Sequence, residues 1–389
     1  MLVKRVLFLT LTGLLSTIVS NVLAGDKPGF EVNWYSQVKL DASWDQNPTS
    51  HGNYVMWVKA QTLDENDAQF NMTHRATRLG LRAKSTGIEE ATLSGNVEVD
   101  LYGGGDENKA LLLLRHAYFT VQSGQWKLLA GQSWDLIAPL NPATLNYPVL
   151  WGAGNISYRR PQVSLFYSLT SSEQTKAEIA AGAFRTIGSD LTPTFPLDSG
   201  ETADGTEDGG DAAIPSLQAL FDVNHKTASG TSVRGGVSGL WGRLRSETNL
   251  GHNENYESWA ACAHFMVSWA SGAGFSGEVF TGSNLGTYCG SILNTNRVDG
   301  LATTGGWASA WVKLDKKTTL TGGFGVDDPK DEDLSTTERS RNQVVFGNLK
   351  YAVVAPVMFG VELSQWQTDY VDADAAKAVR VETSFIMNF

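Results

Sequence analysis

Arg78, Arg82 and Lys84 recur at even positions in a stretch where Leu79 and Leu81 take the odd ones. Two-residue spacing puts the three cations on one face of an extended strand, together with His74 and Gly80, and the leucines on the other. Such a row breaks no bond. It makes a field that draws anions. Arg160 with Gln162 and Ser164, and Arg234 with Ser238, repeat the pattern further on. Arg115 interrupts the apolar run 111–114, and its facing is ambiguous, because His116 and Tyr118 form an equally polar alternate face. Glu98 and Asp100 alternate with Val97 and Val99 and are the natural partners of these arginines. About half of the cations are expected to pair with such acids and simply solvate a wall.

No constellation for catalysis accompanies them. The six histidines and many serines are scattered, with no nucleophile elbow, zinc-binding helix motif or P-loop, so no enzyme is read here. The net charge of −11 excludes nucleic acid as a partner, since that needs a basic footprint. The acids concentrate in two loops, 188–216 and 327–333. Oxygen-rich loops can take Ca2+ or Mg2+, and divalent ions bridge acidic loops to lipopolysaccharide phosphates. The spacing matches no EF-hand, so no resident cofactor is expected.

The elements that must carry these charges are strands. Alternating segments recur from residue 30 to the end, and sixteen can be drawn, among them 30–44, 69–84, 91–103, 110–122, 158–170, 256–271 and 377–389. The last is the most telling. Val379, Val381, Phe385, Met387 and Phe389 share one face, broken only by Thr383, while Arg380, Glu382, Ser384 and Asn388 share the other. An apolar face running to a terminal aromatic suits the closing strand of an outer-membrane barrel, with lipid on one side and water on the other. Trp259 and Trp269 lie on one face of strand 256–271, and their separation, at ~3.3 Å per residue and a tilt of about 40°, spans roughly 25 Å of membrane.

Residues 1–24 read as a cleaved signal peptide: Lys4 and Arg5, then an apolar stretch too short to span a bilayer, then Val22, Leu23 and Ala24 before the cut. Residues 25–389 form a single barrel domain. No later stretch is apolar enough for a membrane helix, so an integral protein must cross with strands. Tight turns alternate with long connections, which separates a periplasmic end from an extracellular one. A charge on the lipid face near mid-membrane costs about 2–4 kcal/mol, so Arg115 is expected to point inward.

Connection 136–157 is the expected constriction loop. It carries Pro139, Pro142, Pro148 and Trp151 but almost no charge, which suits folding into the barrel. Sixteen strands enclose an aqueous channel, and arginines facing a mostly neutral loop favour small anions. Cys262 and Cys289 are the only cysteines, and an exported chain lets them pair as a disulfide.

Five short motifs occur in an order that resembles the DcaP-like trimeric porins, within the general porin superfamily: Thr77-Arg78-Leu79-Gly80-Leu81, Glu98-Val99-Asp100, Leu114-Arg115-His116-Ala117-Tyr118, Leu129-Ala130-Gly131-Gln132-Ser133-Trp134 and Arg160-Pro161-Gln162-Val163. The likeness covers roughly residues 70–170 and the terminal strand. It implies a homotrimeric sixteen-strand channel in a Gram-negative outer membrane, passing small, often anionic or dicarboxylic solutes, with Arg78, Arg82, Arg115 and Arg160 at the family's basic strand positions. The two cysteines and the acidic fourth loop depart from the family. The expected function is therefore passive diffusion of small hydrophilic anions. The alternatives are a plugged barrel acting as receptor or enzyme, or a secreted soluble β-sheet binding protein.

Overall fold

A computed structural model describes residues 29–60, 67–86, 91–192 and 200–389. The expected signal peptide lies outside the described residues. The strands are β1 (Gly29–Asp45), β2 (Gln69–Thr73), β3 (Arg78–Thr86), β4 (Thr92–Asp100), β5 (Leu113–Ser123), β6 (Trp126–Trp134), β7 (Arg159–Ser171), β8 (Thr175–Phe184) and β9 (Ser216–Lys226). They continue as β10 (Ser232–Glu247), β11 (Asn253–Ser268), β12 (Gly274–Ser283), β13 (Ala302–Lys313), β14 (Thr318–Pro329), β15 (Arg339–Val354), β16 (Val357–Tyr370) and β17 (Ala373–Asn388). Among the described residues the one α-helix, α1 (Asp208–Asp211), sits in the connection before β9.

From β3 onward each strand pairs antiparallel with the next, and the sheet closes where β1 meets β17, Gln37 opposite Asn388 through Asp45 opposite Arg380. β2 and β3 both pair with β1 and occupy one wall position, so the result is a closed sixteen-strand barrel. The expected strand 69–84 is thus broken. Thr77 bonds back to His74, and Arg75 turns aside to donate to the carbonyl of Leu101, its guanidinium 5.3 Å from the Tyr102 ring.

Alternation sorts the side chains as the pleat requires. Outward go Trp34, Phe70, Val97, Phe119, Val279, Val345 and Phe385, all well exposed. Trp259 and Trp269 are both exposed on the outer face, as the girdle spacing requires. No described helix is long and apolar enough to cross a membrane. The apolar outer surface of a closed barrel is matched by lipid, and the chain is an integral outer-membrane barrel.

The connections at one end are short, 124–125, 172–174, 227–231, 269–273, 314–317 and 355–356. Those at the other include 46–68, 101–112, 135–158, 185–215 and 284–301. The start of β1 and the end of β17 lie at the short end, where Ser36 and Phe389 exchange backbone hydrogen bonds. The buried apolar core lies inside the barrel, between wall and inserted loops. Val55 and Val58 from 46–68, Leu140 and Leu150 from 135–158, and Trp366 of β16 form one cluster. Ile137, Ile156, Leu285 and Tyr288 belong to a second. Three loops therefore enter the lumen, not the single one expected.

Val279 lies near the middle of β12 and is 58% exposed to the outside. Val279→Arg is expected to destabilise the folded barrel by about 2–4 kcal/mol, read from the urea midpoint of reversible folding into lipid vesicles.

Candidate functional site

The basic wall begins at β3. Arg82 and Lys84 are exposed and Arg78 is half-buried. Their backbones pair with β1 and β4, which fixes all three on the inner face, since Leu79 beside them is 53% exposed outside. The Arg82 guanidinium stands 4.2 Å from the Tyr35 ring. Arg78 forms no ion pair among the described residues, and its Nε has no hydrogen-bond partner there.

Arg115 points inward by a route the pattern did not show. His116 pairs with Glu98 and Leu114 with Val99, so Arg115 is an extra residue in β5. This bulge breaks the alternation and lets Arg115 and His116 face the lumen together. Arg115 is 4% exposed. Its Nε donates to Glu98 at 2.6 Å and its Nη1 to Asp100 at 2.7 Å. Tyr147, brought in by the constriction loop, donates to Asp100 at 2.8 Å and accepts from Arg115 at 3.1 Å. Two carboxylates thus answer one guanidinium, and the cluster is locally acidic rather than basic.

Arg160 is a correction to the expected lining. It is 0% exposed. Asp135 holds its Nε at 2.9 Å, the carbonyl of Thr287 takes its Nη2 at 3.1 Å, and Tyr288 stacks 3.8 Å away. It anchors loop 284–301 and does not reach the opening. Arg234 pairs with Asp222 at 2.8 Å, and Asp222 also meets His264 at 2.8 Å. Cys262 and Cys289 are a second correction. Both are free and buried. Cys262 packs with Ile137, Leu240 and Phe280, and Cys289 with Met56 and Trp151, so separate apolar clusters hold them.

The constriction loop is held by wall side chains of which the sequence pattern had singled out only Ser238. Gln218 of β9 accepts from the N–H groups of Leu136 and Ile137, Ser238 of β10 from Ala138, and Glu278 of β12 from Leu140. At the tip, Glu362 of β16 accepts from Leu145 at 2.7 Å and from Asn348, while Lys39 donates to the carbonyl of Leu145 and Lys350 to that of Ala143. Apart from the bond between Asn348 and Glu362, each contact satisfies a loop backbone group, and one buried away from water would otherwise cost about 1–3 kcal/mol. A lone acid at inward parity with no cation on its own strand, as Glu278 and Glu362 are, was the available signal.

Loop 46–68 is fixed by Arg380. It pairs with Asp45 at 2.7 Å and Glu382 at 3.0 Å, and donates to the carbonyls of Gly52 and Asn53. Asp327, expected in an acidic loop, is instead a buried part of β14 and accepts from Ile292 and Thr303. In the acidic connection 185–215, Asp204 and Asp211 approach Glu247 of β10, their oxygens within 4.8 Å. Glu247 also pairs with Arg245.

A scan against protein-family models and a search of curated proteins return no match. Solved structures do match. The outer-membrane channel DcaP of Acinetobacter baumannii has 21% identity and a TM-score of 0.71, over 94% of this chain and 100% of that one. The chain has the fold of an outer-membrane porin. An anion-selective porin from Comamonas acidovorans matches at 10% identity and TM-score 0.55, over 93% of this chain and all of that one. The trimer form of OmpT of Vibrio cholerae matches at 13% and 0.53, over 93% and 100%.

Glu362→Ala should release the loop tip, raising conductance and current noise, while Glu362→Gln keeps an acceptor and stays near wild type. Single-channel recording separates the two. Outside the membrane, burial pushes the Asp208 carboxyl of α1 up to about 6, against the hydrogen bonds it accepts from Tyr256 and the Leu191 N–H. A carboxyl raised on folding favours the folded loop when protonated. Its contribution is full below the ordinary carboxylate range and is lost as pH rises through about 6. Protease nicking of 185–215 in folded barrels is therefore expected to be roughly threefold faster at pH 8 than at pH 5, relative to Asp208→Asn measured alongside.

Proposed function

We propose that this protein is a passive outer-membrane channel for small hydrophilic solutes, with a preference for anions. The observation that carries the reading is the row Arg78, Arg82 and Lys84 on the inner wall, which forms no ion pair among the described residues. The acids nearest to it, Glu98 and Asp100, both bond to Arg115, and the one negative charge they carry beyond it still leaves the row net positive. Unpaired guanidiniums beside low-dielectric walls focus a positive potential where the solute passes. The fold shared with an outer-membrane channel and with an anion-selective porin supports the same reading. The reading includes no chemistry on the solute.

A homotrimer belongs to this proposal. The trimer form of the Vibrio cholerae protein supports it, as does the apolar outer face of β1, where Phe30, Val32 and Trp34 are more than half exposed. The acidic outer loops are the part that would meet lipopolysaccharide through divalent ions. The three inserted loops favour a second reading, a plugged barrel acting as a receptor.

Planar bilayers under a salt gradient test both. The proposal expects discrete steps and a reversal potential on the anion side. Arg78→Ser with Arg82→Ser should move that potential towards cations, while Arg234→Ser should move it little because Asp222 already neutralises Arg234. Steps with an unchanged potential in the double variant would remove these residues from selectivity. Folded, heat-modifiable protein that gives no steps would favour the plugged reading.

A further inference from the structure

A recess of about 400 Å³ lies in the lumen towards the short-turn end, between the constriction loop and the wall of β11 to β16. Strand register assembles it. Ser276 of β12 stands opposite Ser309 of β13, Trp311 opposite Thr321 of β14, and Thr319 opposite Lys350 of β15. Opposed residues of antiparallel strands share a face, and all six line the recess. Asn141 and Ala143 of the constriction loop and Lys317 of turn 314–317 help to complete it. A cavity of about 150 Å³ already holds a single six-membered ring, so this one has room for a ring and its substituents.

The lining combines three chemistries. Trp311 supplies a flat apolar face. A Cβ on Gly274 would fall 2.2 Å from the Trp311 Cζ2, so the indole lies over a glycine and along the wall. The π face of an indole attracts the C–H edges of a saturated ring. The four Ser and Thr side chains supply hydroxyls, each with one donor and two lone pairs. Those of Ser276 and Ser309 are 3.5 Å apart, beyond a good O–H···O bond, so both keep capacity for a ligand. The third chemistry is positive charge. Lys350 donates to the Ala143 carbonyl at 2.9 Å and Lys317 to that of Val353 at 3.4 Å. An ammonium has three donors, so two remain on each. Neither lysine forms an ion pair among the described residues, and no carboxylate is among the residues lining the recess. Glu362 on the next strand is 2% exposed and occupied by Leu145 and Asn348. A wall built only to be wet would need the hydroxyls and the charges, but not the indole face.

We propose that this recess is a binding subsite for sugar acids, solutes that carry one carboxylate on a hydroxylated saturated ring. The ring lies on Trp311, its hydroxyls meet the Ser and Thr row, and its carboxylate turns towards Lys350 and Lys317. The proposal rests on the channel reading for its access route. It also deepens that reading by naming a solute class: a neutral sugar leaves the lysines unused, and an anion without hydroxyls leaves the row unused.

The test uses three small probes on the purified folded protein in planar bilayers: glucuronate, glucose and cyclohexanecarboxylate. The expected result is interruption of the ion current by glucuronate at concentrations about tenfold below those of the other two. Trp311→Ala should weaken the glucuronate block about tenfold. Lys317→Gln with Lys350→Gln, which keeps an amide donor at each position, should bring glucuronate to the level of glucose. Equal block by glucose would make this a neutral polar site, and equal block by cyclohexanecarboxylate an ordinary anion site. Either would overturn the proposal, as would an undiminished preference for glucuronate in either variant. If the protein carries no current, the channel reading fails on its own. The recess is then tested by the heat of glucuronate binding to the folded protein in detergent, which should vanish in Trp311→Ala. No heat with the wild type, or the same heat with the variant, would overturn the subsite.

Discussion

The rest of this structure depends on one constraint: backbone N–H and C=O groups placed where there is no water must find partners within the chain. The wall meets it by closing on itself, β1 against β17. The loops that enter the lumen meet it differently. They have no ladder of their own, so side chains of the wall stand in for one. Gln218, Ser238, Glu278, Glu362 and Asp327 each accept from a loop N–H, and Lys39, Asn342 and Lys350 each donate to a loop carbonyl. Much of the polar interior of the barrel is therefore scaffold.

That distinction reorganises the charges. A count of inward cations would assign a strongly basic lumen. The contacts divide them into two classes. Arg115, Arg160 and Arg380 are buried, each matched by one or two carboxylates, and each holds a loop or a wall in place. Arg78, Arg82 and Lys84 project from β3 without such partners. Only the second class is left to act on a passing ion. The paired arginines are costly to remove, because deletion of one leaves a buried carboxylate uncompensated, a loss of about 3–5 kcal/mol.

The barrel was legible in the sequence because its signal is strictly periodic. Every strand has one face in lipid and one in the lumen, so the terminal Val379 to Phe389 alternation, the paired Trp259 and Trp269 and the sorted connections all carried the same message. Inward insertion of 136–157 was legible from its prolines and its lack of charge. What remained hidden was tertiary. The bulge at Arg115 is a register event that no single strand shows. The burial of Arg160 depends on Asp135 and Tyr288, which lie far from it or outside its strand. The free cysteines follow from Cys262 lying on β11 against Ile137 and Phe280 while loop 284–301 packs Cys289 against Met56 and Trp151.

Arginines that are buried against carboxylates, such as Arg160, are scaffold, whereas Arg82 on the inner face of β3 meets water. Thiol accessibility tests this contrast most directly. Arg82→Cys and Arg160→Cys would each be made in a chain with Cys262 and Cys289 replaced by alanine, folded, and exposed to a bulky, charged, membrane-impermeant thiol reagent during current recording. Rapid labelling and a fall in current are expected for position 82, and slow labelling with no matching change in current for position 160. Equal, rapid labelling at both positions would contradict this, and would return Arg160 to the lining of the pore.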